Sequence, residues 1–132
     1  MGSIINPNTK KILVAEDNPI NQKVIRIILE RMGANYEFAM DGSEAFSKFE
    51  TGAYSLVLMD CQMPKLDGLQ ASKQIRELEG RTLQERCPIV AMTANAMKGD
   101  RENCISAGMD DFLSKPFKSQ DLVQVVSKWI KE

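Results

Sequence analysis

The sequence predicts a single α/β domain, a doubly wound five-stranded parallel sheet with helices on both faces. Five short apolar runs alternate with five stretches of helical periodicity, which favours parallel strands joined by helical crossovers. Residues 56–59 (LVLM) are apolar without alternation, as in a strand buried on both faces. Because such crossovers are right-handed, few topologies remain, and we expect the flavodoxin-like strand order 2-1-3-4-5.

Each predicted strand is a short apolar run, and most of these runs are followed by polar or charged residues. The third strand is the most strongly apolar and leads directly to Asp60. The carboxyl ends of parallel strands are where ligands bind in open sheets of this kind. Strands are predicted at residues 11–15, 35–39, 55–59, 88–92 and 111–114.

The predicted helices are bounded by capping residues and glycines. Asp17 or Asn18 can cap the first helix, where Pro19 fits the first turn, and Gly33 can follow its last residue. Gly52 is expected to stop the second helix, and the third should begin after Gly68. Helices are predicted at residues 19–32, 43–50, 69–80, 98–107 and 119–130.

Length and composition favour one globular domain over residues 10–132, preceded by a disordered, added N-terminal tail at residues 1–9. The net charge of -1 gives no basic signature for nucleic acid. Without a long apolar run or a signal peptide, we expect no membrane contact in this domain and a cytoplasmic location. Such a domain can also be the cytoplasmic part of a membrane-bound protein.

The histidine and cysteine content limits the kinds of catalytic and metal-binding site that the chain can form. The chain contains no histidine, which excludes a histidine nucleophile, base or metal ligand. Cys61, Cys87 and Cys104 lack the spacing of a metal site and are expected to be free thiols.

Polar side chains follow four of the predicted strands, at one edge of the predicted sheet. Glu16 and Asp17 follow the first strand, and Asp60 the third; Thr93 and Lys115 follow the fourth and fifth. Crowded carboxylates repel one another unless a cation lies among them, and oxygen ligands suit Mg²⁺. A hydroxyl and an ammonium are donors suited to a phosphoryl group. Each of these residues alone could be a helix cap or a solvated side chain. Their common position at the carboxyl ends of separate strands favours a site for a cation and a phosphoryl group.

These residues resemble the receiver domain of two-component response regulators over residues 11–129. The matching motifs stand in family order and comprise Glu16-Asp17, Met59-Asp60 with Met63-Pro64 and Asp67-Gly68, Thr93-Ala94, and Lys115-Pro116. The stretches at 14–22 (VAEDNPINQ) and 92–97 (MTANAM) are most similar to receivers of hybrid sensor histidine kinases.

The resemblance implies a phosphoacceptor role in a phosphorelay. Asp60 would accept a phosphoryl group from a phosphohistidine on a histidine kinase domain or a histidine phosphotransfer protein. Glu16, Asp17, Asp60 and the backbone carbonyl of Gln62 would hold Mg²⁺, with Mn²⁺ as an alternative. The domain would catalyse its own phosphorylation and dephosphorylation without turning over small substrates, and would form part of a hybrid histidine kinase.

The resemblance also implies a conformational switch. Thr93 would bind a phosphoryl oxygen, and Lys115 would pair with Asp60 before transfer and with the phosphoryl group afterwards. Phe112 stands at the aromatic switch position and would fill the space that Thr93 leaves; it could equally be a plain core residue. The Lys115–Pro116 peptide bond is expected to be cis.

The first helix has more apolar residues than can face the core along a single stripe. Ile20, Val24 and Ile27 form a second stripe at i, i+4 and i+7, which should face away from the sheet. An exposed apolar stripe beside the acids is typical of a docking surface, here for the histidine-bearing partner. Scattered exposed isoleucines are the simpler alternative. The core-facing stripe should comprise Ile25, Ile28, Leu29 and Met32.

Three alternatives stay open at this point. An interaction module of the same fold could have lost the reaction. A phosphatase resembling the haloacid dehalogenases also uses a strand-end aspartate and Mg²⁺, but needs a second aspartate where Gln62 stands. A flavin or nucleotide binder needs a phosphate-cradling loop after the first strand, where Glu16 and Asp17 would repel phosphate.

Overall fold

The computed structural model describes residues 11–52, 54–61, 68–82, 86–93, 98–115 and 118–130. The strands are β1 (Lys11–Ala15), β2 (Tyr36–Ala39), β3 (Tyr54–Asp60), β4 (Ile89–Thr93) and β5 (Asp111–Ser114). The helices are α1 (Pro19–Arg31), α2 (Gly42–Thr51), α3 (Gly68–Thr82), α4 (Lys98–Ser106) and α5 (Ser119–Trp129). The strands form one parallel sheet in the order β2-β1-β3-β4-β5, which confirms the predicted fold class and strand order.

The sheet is covered by apolar side chains on both faces. Because successive strand residues point to opposite sides, Ile12 and Val14 of β1 pack in a core with α1 and α5. Leu13 and Ala15 pack in a second core with α2, α3 and α4. This double coverage explains why β1, β3 and β4 are apolar without alternation.

Helix α1 is divided into a buried and an exposed stripe, as its sequence predicts. Ile25, Ile28 and Leu29 are buried against the sheet. On the other side, the exposed fractions are 74% for Ile20, 40% for Val24 and 41% for Ile27. The burial of this helix therefore leaves an apolar stripe in contact with solvent.

Both ends of helix α1 have the residues that the sequence predicted, Asn18 as the N-terminal cap and Gly33 after the last turn. The Asn18 side-chain oxygen accepts hydrogen bonds from the backbone N–H groups of Ile20 (2.8 Å) and Asn21 (3.2 Å), so Asn18 is the cap. Gly33 has a φ of 76°, a left-handed conformation that favours glycine after a helix end.

The end of α3 differs from the sequence-based expectation. The helix continues through Gly80 to Thr82, where the Thr82 hydroxyl donates to the Leu78 carbonyl oxygen at 2.8 Å. The sequence predicted that the helix ends at Gly80. This glycine has open surroundings, and the helix continues through it. The predicted tail at residues 1–9 lies outside the described residues. No helix in the described ranges has the length and apolar character needed to cross a bilayer.

An ion-pair network joins α3 to the segments before β4 and β5. The Arg76 guanidinium contacts Glu79 Oε1 and Asp110 Oδ2, each at 2.7 Å. It also donates to the backbone carbonyl oxygens of Cys87 and Gly108, each at 2.8 Å. Glu79 accepts in turn from the backbone N–H of Cys87 at 2.7 Å. Arg76 therefore satisfies polar groups of three separate chain segments at the amino-terminal edge of the sheet.

Replacing Arg76 by alanine should lower the free energy of unfolding by about 2–4 kcal/mol, because Glu79 would keep a buried charge without its cation. Urea unfolding followed by far-ultraviolet circular dichroism measures this change. Arg86→Ala is the matched control, since Arg86 pairs with the same Asp110 but is 57% exposed, against 15% for Arg76. The control should lose less than about 1 kcal/mol. Equal losses of unfolding free energy in the two variants would contradict the conclusion that Arg76 stabilises the fold more than Arg86 does.

Candidate functional site

Three acidic side chains meet at the carboxyl edge of the sheet. Strands β1 and β3 are adjacent, with Ala15 opposite Met59, so the residues that follow these two positions come together. One carboxylate oxygen from each of Glu16, Asp17 and Asp60 lies within 4.8 Å of the others. Three carboxylate oxygens at this separation are a donor set that fits Mg²⁺ or another hard divalent cation.

Lys115 reaches this cluster from the end of β5. Its Nζ lies 2.9 Å from Glu16 Oε1 and 3.0 Å from Asp60 Oδ2, so one ammonium joins two buried carboxylates. The Lys115 backbone N–H donates to the Thr93 carbonyl oxygen at 2.7 Å, which continues the pairing of β5 with β4. The sheet register therefore sets the position from which this side chain extends.

The electrostatics of the cluster reflect burial and crowding. Burial raises the pKa of Glu16, the Asp60 charge adds to this effect, and the hydrogen bond from Lys115 opposes it. Burial alone would lower the pKa of Lys115, but its hydrogen bonds to Glu16 and Asp60 outweigh that effect and raise it. Among the described residues, one ammonium pairs with two of the three clustered carboxyl groups, and this imbalance of charge fits an additional cation.

Hydrogen bonds hold the loop that carries Glu16. The Asn18 backbone N–H donates to Glu16 Oε2 at 3.1 Å, while the Asn18 side chain caps α1. The Gln22 amide donates to the Glu16 backbone carbonyl oxygen and lies 3.0 Å from the Met40 sulfur. Sequence reasoning treated Asn18 only as a cap and gave Gln22 no role. The one signal for Gln22 is its position one helical turn after that cap.

Gly68 allows α3 to begin directly against Asp60. A Cβ atom at this position would lie 2.2 Å from the Asp60 carbonyl oxygen and 2.9 Å from Met59 Cγ. Any other residue would therefore displace either the start of α3 or the end of β3. The sequence contains Gly68 within the Asp67-Gly68 motif, but the close approach to Asp60 is visible only in three dimensions.

The remaining predicted site residues are partly described. Thr93 is buried at the end of β4, and Phe112 is half-buried on β5, where it packs on the core formed with α2, α3 and α4. Gln62 and Pro116 lie outside the described residues, so the predicted metal-ligating carbonyl and the predicted cis peptide bond stay predictions. The structure brings Glu16, Asp17, Asp60 and Lys115 into one site.

Comparisons with known proteins agree on one family. The family model of the response regulator receiver domain matches residues 12–127. The chain is 44% identical over 128 residues to hybrid signal transduction histidine kinase B of Dictyostelium discoideum, covering 90% of this chain and 6% of that protein. The chain therefore spans a small part of that relative's length.

Solved structures that are similar to the chain include the following two. The receiver domain of sensor histidine kinase PA1611 from Pseudomonas aeruginosa, described with a magnesium ion coordinated in its active site cleft, is 44% identical with a TM-score of 0.80. That match covers 92% of this chain and 97% of the other. The second is a chain in the Saccharomyces cerevisiae co-crystal of the histidine phosphotransfer protein Ypd1 with the receiver domain of Ssk1. It is 32% identical with a TM-score of 0.88, covering 92% and 88% of the two chains.

Replacing Glu16 by glutamine should stabilise the protein in EDTA near pH 7.5. Because the folded-state pKa of Glu16 is raised, the ionised carboxylate disfavours folding, and stability falls as the pH rises from the ordinary value of 4.5 through the raised pKa. Chemical denaturation should show a higher free energy of unfolding for the variant at this pH, and converging stabilities below the ordinary pKa.

Glu102→Gln is the control for this substitution, because Glu102 is an exposed glutamate on α4. It should change the free energy of unfolding by less than about 0.5 kcal/mol at either pH. A Glu16→Gln protein that is less stable than wild type near pH 7.5 in EDTA would show that the buried charge does not cost stability.

Proposed function

Because the chain belongs to the response regulator receiver domain family, we propose that it is the phosphoryl-accepting unit of a two-component phosphorelay. In this proposal Asp60 takes the phosphoryl group from a phosphohistidine on a partner protein. The observation that carries the proposal is the buried Asp60 carboxylate, paired with Lys115 at 3.0 Å and clustered with Glu16 and Asp17. The likeness to hybrid histidine kinases supports a relay inside or alongside such a kinase.

A divalent cation, Mg²⁺ in the first place and Mn²⁺ as an alternative, would be held by Glu16, Asp17 and Asp60. The donor set fits, and the similar PA1611 receiver is described with magnesium in its cleft. The backbone carbonyl of Gln62 is a further proposed ligand. When bound, the cation would neutralise charge that develops on the phosphoryl oxygens.

The proposed chemistry is nucleophilic displacement at phosphorus. A carboxylate oxygen of Asp60 forms the new bond to phosphorus, the phosphorus–nitrogen bond breaks, and its electron pair returns to the imidazole. Lys115 holds Asp60 through Oδ2 before transfer, and its ammonium pairs with the phosphoryl group afterwards. The protein thus catalyses its own modification and, by attack of water on the acyl phosphate, its own dephosphorylation.

The phosphorylated state would be sensed by Thr93 and Phe112. Thr93 is the buried last residue of β4, beside the strand that ends in Asp60, which supports the proposal that its hydroxyl binds a phosphoryl oxygen. Phe112 lies half-buried opposite Ala91 in the β4–β5 register and would turn inward when Thr93 moves. We propose that the Lys115–Pro116 bond is cis and aims the ammonium at Asp60.

The stripe of Ile20, Val24 and Ile27 is the proposed docking surface for the histidine-bearing partner. It begins two residues after Asn18, whose backbone N–H binds the Glu16 carboxylate, so a partner on the stripe lies next to the acids. The S. cerevisiae co-crystal with Ypd1 supports a histidine phosphotransfer protein as the kind of partner. We place this reaction in the cytoplasm, without nucleic-acid or membrane contact by this domain.

Asp60→Asn should abolish phosphorylation, because the amide retains the shape of the carboxylate but lacks a nucleophilic oxygen. The assay is intact-protein mass spectrometry after incubation with acetyl phosphate and Mg²⁺, in which wild type should gain one labile phosphoryl group. The matched control is Asp121→Asn, since Asp121 lies in the first turn of α5 and should be dispensable for labelling. Wild-type labelling of the Asp60 variant would overturn the assignment.

Labelling in the presence of EDTA tests whether phosphorylation requires a divalent cation. Labelling should stop in EDTA, and millimolar Mg²⁺ should raise the melting temperature of wild type by relieving carboxylate repulsion. Transfer in EDTA without a melting shift would contradict a metal role. A phosphatase would instead release phosphate continuously from a small substrate, and a non-reacting module would gain no phosphoryl group in any arm.

Ile20→Asp and Ile27→Asp should leave acetyl phosphate labelling intact but slow transfer from a phosphohistidine protein by about tenfold or more, through loss of apolar docking contacts. Rapid-quench kinetics with the cognate phosphodonor measures transfer. Ile105→Asp is the matched control, because Ile105 is an isoleucine on α4 whose exposed fraction of 60% lies between those of Ile27 and Ile20. Unchanged transfer in both α1 variants would place the docking surface elsewhere, and parallel losses in both assays would show damage to the fold.

A further inference from the structure

Two cysteines lie in contact beside Asp60. The sulfur atoms of Cys61 and Cys104 are 3.6 Å apart. Cys61 directly follows Asp60 at the end of β3, and Cys104 lies on α4, buried under the same face of the sheet. They are 43 positions apart in the sequence, so only the packing of α4 on the sheet brings the two thiols together.

We propose that Cys61 and Cys104 form a reversible disulfide under oxidation by a peroxide, and that this bond slows phosphoryl acceptance by Asp60. Formation of the bond is independent of the proposed function. Its effect on phosphoryl acceptance rests on that function.

The geometry needs only a short movement. A disulfide has a sulfur–sulfur distance of about 2.05 Å, so the two atoms must approach by about 1.5 Å. Side-chain rotation at the two residues can supply part of this movement. Any remaining movement would strain the backbone on both sides, since the Cys61 N–H donates to the Met92 carbonyl oxygen at 3.0 Å and the Met109 N–H donates to the Cys104 carbonyl oxygen.

The redox step balances with one peroxide. The half-buried Cys61 sulfur, as thiolate, attacks a peroxide oxygen, the oxygen–oxygen bond breaks, and hydroxide leaves to take up a proton. The Cys104 sulfur then attacks the Cys61 sulfenic acid; a sulfur–sulfur bond forms, the sulfur–oxygen bond breaks, and a second water leaves. Two thiols are oxidised to one disulfide, and hydrogen peroxide is reduced to two water molecules.

The disulfide would act on Asp60 through the backbone. Asp60 and Cys61 share a peptide bond, and the Asp60 carbonyl oxygen packs against Gly68 without room for an extra atom. A pull on Cys61 toward α4 therefore displaces the Asp60 carboxylate from Lys115. Since a misplacement of about 1 Å can cost about 100-fold in rate, we expect the oxidised protein to accept phosphoryl groups at least about tenfold more slowly.

The third cysteine provides a matched control. Cys87 is buried ahead of β4, where its sulfur lies 3.5 Å from the carbonyl oxygen of Tyr54, the first residue of β3. Asp60 is the last residue of that strand, so Cys87 lies toward the opposite end of it. Cys87→Ser should retain both the disulfide and its effect on labelling, whereas Cys104→Ser should lose both.

The test treats wild type and both variants with hydrogen peroxide in mildly alkaline buffer. Alkaline conditions are used because the thiolate, not the thiol, is the nucleophile that attacks peroxide. Non-reducing peptide mapping by mass spectrometry identifies the linked cysteines. Acetyl phosphate labelling rates are then measured on the monomer before oxidation, after oxidation, and after reduction with dithiothreitol.

The proposal expects a linked Cys61–Cys104 peptide, slower labelling by the oxidised wild type, recovery on reduction, and no rate change on oxidation of Cys104→Ser. It is overturned if no such peptide forms, or if the linked protein labels at the reduced rate. A slow rate in oxidised Cys104→Ser would also overturn it, by assigning the effect to another oxidation. Absence of labelling in the reduced wild type would instead refute the phosphoacceptor function, and peptide mapping would still decide whether the disulfide forms.

Discussion

The contact of one ammonium with two buried carboxylates is the interaction on which the site depends. From the end of β5, Lys115 reaches Asp60 of β3 at 3.0 Å and Glu16, which follows β1, at 2.9 Å. Without a cation at this point, the acids at the ends of β1 and β3 would repel each other in a water-poor environment. The parallel sheet makes the contact possible, because it aligns the carboxyl ends of β1, β3 and β5 at one edge. The excess of negative charge that remains fits the proposed binding of a second, divalent cation.

The acid cluster and α1 are linked through one residue. The Asn18 backbone N–H binds the Glu16 carboxylate, and its side chain caps the helix that carries the exposed apolar stripe. A partner on the proposed docking stripe would therefore contact an element that also orients Glu16, a proposed metal ligand. This short connection would let the proposed docking surface and the proposed phosphoacceptor Asp60 share one end of a small domain.

The ion-pair network of Arg76 and the acidic cluster around Asp60 lie at opposite edges of the sheet. At the amino-terminal edge, Arg76 is surrounded by acceptors that match its guanidinium donors, and the buried charges are paired. At the carboxyl edge, Glu16 is buried with a raised pKa, and Gly68 leaves no room beside Asp60. Reactive sites commonly tolerate such unfavourable burial when the rest of the fold supplies the stability.

The sequence was sufficient to predict the alternation of strands and helices, the strand order and the two stripes of α1, because these depend on local hydrophobic periodicity and on the handedness of crossovers. It also placed the acids at one edge, since strand ends in a parallel sheet must converge. Gly80 shows the limit of local signals, because a glycine in open surroundings does not have to end a helix.

The contacts between distant segments became visible only in the folded structure. The sequence did not reveal that Lys115 joins Glu16 as well as Asp60, that Gly68 packs directly on Asp60, or that Cys61 meets Cys104. The physical reason is that these distances depend on strand register and on how each helix packs against the sheet. Shifts of an ångström in that packing separate a contact from a gap, and no residue pattern within a single segment specifies them.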